Sequence, residues 1–339
     1  MKGITKMNET IYKSDIIVEI HDARIPFTGR TEILNSFSQV KPRILVFNKC
    51  DLIPESKIVE IRNKIDGLNV DGSRPIDVYF TQLNDPGKQR ELLQSMSNAI
   101  SNYIGTSTKS SLEHFVLVAG LPNVGKSTLI NSLRNCAVDS ARFTKARSKK
   151  PVKVANYAGV TRAVSEKILL SEGPPRTYIL DTPGIWEPAK ENIEGVLKLA
   201  LCGCLNFTSI YRETVIDYML YWLNGHNELG YVDHYNMSGP TDDLIVFLSS
   251  VCADRGLVRH CKRDSDNPYK PQTDAAVSLI FTDFSTGKLG RFVLDDLQDY
   301  QFQDFRESDA LNAPLGTVFT NIRPVKKHFP FVWTKPIKI

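Results

Sequence analysis

No stretch of this 339-residue sequence approaches the roughly 18 consecutive apolar residues that a membrane-crossing helix needs. Its six cysteines, at 50, 136, 202, 204, 252 and 261, follow no disulfide or metal-ligand rhythm. That excludes a stapled secreted scaffold or a zinc ribbon and implies a reducing compartment. Cys202 and Cys204 fall in an apolar helical run, where core packing is expected. The formal charge of +4 is too mild for the whole chain to coat a polyanion, so any nucleic-acid contact needs local basic patches. Met1 to Lys6 has no secretory apolar core, and is too short and arginine-poor for an organelle transit peptide. Either the protein stays where it is made or this chain starts downstream of its signal. There is no internal repeat.

What is present is a globular composition long enough for a large core and two domains. Asp15 to Ile20, Arg43 to Phe47 and Asp77 to Thr81 read as strands. Helical patterns lie between and after them, from Ser56 to Leu68 and from about Gly87 to Ile104. This βα alternation implies a parallel sheet with helices on its faces. Gly105 to Ser111 reads as a linker. Further strands are expected at Phe115 to Ala119, Ala163 to Leu170 and Thr177 to Leu180. From about Glu187 the character becomes helical, with runs at Ile193 to Cys204, Glu213 to Leu223, Asp242 to Cys252 and Thr273 to Phe284. The expected division is an α/β domain over 1–186, with halves 1–104 and 112–186, a smaller all-helical domain over 187–297, and a poorly ordered tail over 298–339.

The stretch Gly120-Leu121-Pro122-Asn123-Val124-Gly125-Lys126-Ser127 fits the phosphate-cradling loop G-x-x-x-x-G-K-[ST]. An apolar strand precedes it, and Leu129, Ile130 and Leu133 after it share one helical face. Loop amides and a helix N-terminus therefore converge where a polyphosphate can sit. Asn123, Val124, Gly125, Lys126, Ser127 and Thr128 form the expected phosphate-binding set. Lys126 would reach the outer phosphates and the Ser127 hydroxyl would hold Mg²⁺.

Asn48-Lys49-Cys50-Asp51 closes another strand. A carboxylate there can accept parallel hydrogen bonds from N1–H and the exocyclic amine of guanine, a donor pair that adenine lacks. Asn48 would tie this loop to the phosphate loop, and the Lys49 stem would cover the base. A second such tetrapeptide, Asn63-Lys64-Ile65-Asp66, sits inside a helical pattern and reads as coincidence. Thr81 and Gln82 are expected to present backbone amides to the base. Asp181 of Asp181-Thr182-Pro183-Gly184 would hold Mg²⁺ through water, and the Gly184 amide would bond the γ-phosphate. Thr161 would complete the magnesium shell when triphosphate is present.

These motifs are out of their usual order, with the base-reading strands first and the phosphate half second. Surface termini that lie close together let one sheet be cut and rejoined elsewhere. The segment after Gly184, which responds to loss of the γ-phosphate, then feeds directly into the helical part.

With these residues in view, the sequence resembles the circularly permuted GTPases of ribosome assembly, and within them the mitochondrial ribosome-associated GTPase 1 branch. The bacterial ribosome-biogenesis GTPase A is a close relative. The resemblance is carried by His21-Asp22-Ala23-Arg24-Ile25-Pro26, Asn48 to Asp51, Pro122 to Ser127, Gly159-Val160-Thr161-Arg162 and Asp181 to Gly184, with Leu197 to Gly203 and Gly230 to Tyr235 further on. It covers residue 1 to about Leu297. It implies a circularly permuted P-loop fold that hydrolyses GTP to GDP in maturation of the mitochondrial large ribosomal subunit. It also implies rRNA contacts, peripheral association with the matrix face of the inner membrane, and a K⁺ ion seated by Asn123. Family members usually carry a targeting segment and an aromatic-rich stretch before the part matching Met1, so a truncated start is expected.

Ile185 occupies the position where many switch GTPases place a water-orienting glutamine. An apolar side chain cannot do this, so hydrolysis is expected to be slow without K⁺ and a partner. Arg142 to Lys153 carries six basic residues and no acid, which suits ribosomal RNA or a merely solvated charge run. Competing readings are an ATPase or nucleotide kinase, against which Asn48 to Asp51 argues, a GTP-holding RNA scaffold, and a bacterial-type or cytoplasmic assembly GTPase.

Overall fold

Short apolar runs bounded by turn residues become buried strands here, because the chain covers them on both faces. The structure is a computed structural model and describes residues 10–30, 41–67, 77–85, 89–106, 111–140, 167–171, 175–181, 193–205, 212–260 and 269–298. The first strands and helices are β1 (Ile16–Asp22), β2 (Arg43–Asn48), α1 (Glu55–Gly67), β3 (Asp77–Thr81) and α2 (Arg90–Thr106). Then come β4 (Glu113–Ala119), α3 (Lys126–Ser140), β5 (Ile168–Ser171) and β6 (Arg176–Asp181).

These strands make one six-stranded sheet in the order β3-β2-β1-β4-β6-β5, parallel except for β5. The seam between early and late halves is β1 against β4, with Ile16 opposite Val116 and Glu19 opposite Ala119. Chain order runs outward from β1 to β3, then returns to β4 on the other side of β1. The carboxyl ends of β1 and β4 therefore flank a topological switch point, where open α/β sheets place their ligands. On one face, Ile16, Val18 and Ile20 of β1 meet Val116 and Val118 of β4 in the main core. On the other, Ile17 packs with Leu117, Ala119 and Leu180. In α2, Leu93, Met96, Ile100 and Ile104 recur at helical spacing and are all buried.

The C-terminal part is helical, as its periodicity implies, with α4 (Ile193–Leu201), α5 (Arg212–Gly225), α6 (Gly230–His234), α7 (Leu244–Asp254) and α8 (Thr273–Ser285). It is not purely helical. Between α7 and α8 lies a two-stranded antiparallel ribbon, β7 (Val258–His260) and β8 (Tyr269–Pro271). Three-residue strands are too short to show alternation, so the sequence gives no sign of them. The α7 helix starts one residue past its cap, Asp243, whose carboxylate accepts from Ile245 N at 2.7 Å and Val246 N at 3.1 Å. Leu199, Met219, Phe247 and Ile280 belong to the same buried cluster as the β1 and β4 residues, so sheet and helices share one core.

The α4 helix stops at Leu201, three residues before its expected end, for a local reason. Gly203 takes φ +73°, and the two bonds Cys204 N to Leu199 O and Gly203 N to Ala200 O, both 2.9 Å, form a Schellman cap. Cys202 and Cys204 are buried in this cap as free thiols, and burial pushes Cys204 up to about pKa 12. That fits packing rather than reactivity.

Candidate functional site

The loop after β4 wraps back on itself before α3 begins. Asn123 and Gly125 take left-handed φ of 59° and 109°, and α3 opens with the bond Leu129 N to Gly125 O at 2.8 Å. The first amides of α3 have no carbonyl a turn earlier, which leaves an electropositive helix end. Lys126 is buried, and its Nζ donates to Leu121 O at 2.7 Å, inside the loop. Ser127 and Thr128 follow it, half-buried, on the first turn of α3. Asp181 ends β6, paired in register with Val118 just ahead of the loop. Thr161, Gly184, Ile185 and the basic run 142–153 lie outside the described residues.

Asn48, at the end of β2, joins the two halves. Its Nδ2 donates to Val124 O at 2.8 Å, and its Oδ1 accepts from Thr81 Oγ1 at 3.2 Å and Leu83 N at 3.1 Å. Packing here is close: a Cβ on Gly125 would lie 2.4 Å from Asn48 Nδ2. Thr81 and Gln82 sit beside this tie in a role the sequence does not suggest. The Thr81 hydroxyl serves Asn48, and the Gln82 amide donates to Gln89 Oε1 at 3.2 Å. The Thr81 hydroxyl thus braces the Asn48 loop from the end of β3, while the Gln82 amide is engaged inside the protein.

Asn48→Ala strips partners from Val124 O and Leu83 N at a site with little solvent. Because buried groups left unpaired carry their full desolvation cost, the substitution is expected to destabilise the fold by about 2–4 kcal/mol, read from urea unfolding.

Lys49 takes φ 62° and leads into a 3-10 turn, Cys50–Leu52, that carries Asp51. Cys50 is half-buried, and burial followed by the Asp51 charge raises its pKa. Asp51 Oδ1 is buried with no hydrogen-bond partner among the described residues. A buried carboxylate oxygen without a donor costs stability unless a ligand supplies one. By contrast Asn63 to Asp66 lies within α1 with Ile65 buried, as coincidence requires.

Two further groups at this cleft are not legible in sequence. Asn123 Nδ2 donates to Gly203 O at 2.7 Å, so the Schellman cap of α4 touches the phosphate loop across 80 residues of chain. Lys49 Nζ pairs with Asp22 Oδ2 at 2.7 Å instead of standing clear. Asp22 is fully buried. Burial alone would raise its pKa, but the Arg24 and Lys49 charges outweigh that and hold the carboxyl well below the usual range.

A P-loop joined through Asn48 to the earlier turn over Asn48–Asp51, on one mostly parallel sheet, defines the class: a circularly permuted P-loop GTPase. Comparison with known proteins agrees. Residues 115–219 match the family model described as 50S ribosome-binding GTPase. Mitochondrial ribosome-associated GTPase 1 of Mus musculus is 34% identical over 301 residues, 87% of each chain. Mitochondrial GTPase 1 of Schizosaccharomyces pombe is 31% identical over 307 residues, again 87% of each. A solved GDP-bound YlqF shares the fold with TM-score 0.51 at 21% identity, covering 87% of this chain and 100% of that one. The chain belongs to the mitochondrial ribosome-associated GTPase 1 family. It is a GTPase, with GTP and GDP as nucleotides and Mg²⁺ as the accompanying metal.

Proposed function

We propose that this GTPase binds the mitochondrial large ribosomal subunit and acts in its assembly, using hydrolysis of GTP to GDP and phosphate as a nucleotide-state switch. The observation that carries the reading is the Asn48–Val124 bond, which makes one cleft of the base-reading and phosphate halves. Relatives named for mitochondrial ribosome association supply the setting. The mitochondrion is the proposed compartment, with peripheral association at the matrix side of the inner membrane. Among the described residues no helix is long and apolar enough to cross a membrane.

In this reading Asp51 accepts the N1–H and exocyclic amine of guanine, with Asn48, Lys49 and Cys50 forming the turn around it and Thr81 and Gln82 bracing it. Amides from Asn123 to Thr128 cradle the phosphates, and Lys126 leaves Leu121 O to balance their charge. Ser127, Asp181 and Thr161 are the magnesium set, with the Gly184 amide on the γ-phosphate. Magnesium supplies neutralisation of charge developing on the phosphate oxygens. Asn123 is the potassium ligand we assign: with its amide nitrogen committed to Gly203, the side-chain oxygen is the atom left for a cation. Ile185 cannot orient water, so K⁺ and the ribosomal particle complete the site.

The same reading gives the nucleotide to residues 1–186 and ribosomal RNA to the helical part, 187–297, and to the basic run 142–153. Sedimentation with mitochondrial large subunits is expected to show binding with GTP or a slow analogue and release with GDP. Single-turnover hydrolysis is expected to rise at least tenfold when K⁺ and subunits are both added, which is about 1.4 kcal/mol of barrier. Nucleotide-independent sedimentation together with an unchanged rate would overturn the switch.

A further inference from the structure

The end of β1 and the turn after it, His21-Asp22-Ala23-Arg24-Ile25-Pro26, have no part in the nucleotide contacts assigned above, yet they are braced from two sides. On the cleft side, Asp22 Oδ1 accepts from Arg24 N at 3.1 Å and Arg24 Nε at 3.0 Å. Its Oδ2 accepts from Arg24 Nη2 at 2.8 Å and Lys49 Nζ at 2.7 Å. Ala23 N donates to Asn48 O at 2.8 Å, so main chain and side chain both grip the Asn48 to Asp51 sequence. Lys49 is the left-handed residue that launches the Asp51 turn, and a tether on its ammonium limits where that turn can sit.

On the other side the turn is held by α8 and by the strap that follows it, residues 286–298. Leu294 N donates to Arg24 O at 2.8 Å, and the Arg24 guanidinium lies 5.2 Å from the centre of the Phe284 ring. Asp295, itself buried, accepts from Phe27 N and Thr28 N, both at 2.9 Å, and from the Thr28 hydroxyl. The strap also reaches the base-reading turn directly, through Phe292 N to Leu52 O at 3.2 Å. A carboxylate that collects two main-chain amides and a hydroxyl from a turn 267 residues away fixes that turn against the strap.

We propose that Asp22 and Asp295 are positioning residues for guanine recognition. Asp22 fixes Lys49 and with it the turn that presents Asp51, while Asp295 fixes the turn that presents Asp22. The strap thereby becomes a control on the base end of the cleft, distinct from the Gly203 contact at its phosphate end. The proposal rests on Asp51 being the guanine acceptor.

The test compares equilibrium binding of GDP and IDP to the full chain and to its Asp22→Asn and Asp295→Ala variants. Hypoxanthine lacks the exocyclic amine, so the GDP-to-IDP affinity ratio reports how well Asp51 is aimed, which a general loss of stability does not. The unsubstituted protein is expected to prefer GDP by about tenfold or more, the value of a hydrogen bond to a charged acceptor. That ratio is expected to fall at least ~fivefold in Asp22→Asn and ~threefold in Asp295→Ala, as part of one hydrogen bond is lost. Should Asp22→Asn fail to fold because Arg24 loses its counter-charge, the ratio in Asp295→Ala decides alone. A cooperatively melting Asp295→Ala with an unchanged ratio overturns the proposal, even if both nucleotides bind more weakly. Absence of any GDP preference in the unsubstituted protein instead overturns the guanine reading of Asp51, and the proposal with it.

Discussion

Asp51→Ala is expected to weaken GDP binding by about two to three orders of magnitude, because a polar site built for a donor pair loses its acceptor. The same substitution is expected to leave the nucleotide-free protein as stable as before, or slightly more so. Asp51 Oδ1 is buried without a partner among the described residues, so removing it relieves a desolvation cost with no hydrogen bond to those residues lost. Loss of function at unchanged or raised stability separates a ligand-binding group from a structural one. Asp51→Asn sharpens the result. An amide can donate where the carboxylate only accepts, so preference is expected to move from guanine toward xanthine, whose ring carries an oxygen at the 2-position. Isothermal titration with GDP and XDP, beside a thermal melt, checks both parts. Parallel loss of stability and affinity in Asp51→Ala would mark the residue as structural.

Gly125→Ala should have the second large effect, for a different physical reason. Its φ of 109° is strained for any residue with a Cβ, and that Cβ would lie 2.4 Å from Asn48 Nδ2. Backbone strain of this kind costs of order 1–3 kcal/mol, before the displaced Asn48 gives up its bond to Val124. The substitution attacks the phosphate loop and the inter-half tie together. The expected outcome is a loss of about 3 kcal/mol in urea unfolding, with GDP affinity reduced beyond ~100-fold at any temperature where the variant stays folded. Near-normal GDP binding in Gly125→Ala would mean that the loop can re-form without the Asn48 contact.

Local features of the sequence carry most of the sheet. Val18, Val46, Val118 and Ile179 sit in apolar runs short enough to be strands and are buried where those runs place them. The motif at Asn48 to Asp51 is told from its duplicate at Asn63 to Asp66 by the strand before one and the helix around the other, and α1 bears that out. What sequence could not reveal depends on distant backbone. The Gly203 carbonyl carries no side-chain signature, and only the Schellman geometry of α4 brings it to Asn123. Asp22 closes β1, and nothing local to it says that Lys49 will fold back onto it. Asp295 meets its partners across more than 260 residues, a separation at which periodicity has no information. That the Thr81 hydroxyl lands on Asn48 depends on how the ends of β2 and β3 meet, which residue type alone does not reveal.

The structure of the GDP complex is the most direct test of the central claim, that early and late halves of this chain build one guanine-nucleotide cleft. The account requires the purine against the Asp51 carboxylate and the β-phosphate within the amides of Gly125 to Ser127, with Asn48 still bonded to Val124 O. GDP bound through the phosphate loop alone, with Asp51 turned away and the base resting elsewhere, would contradict it.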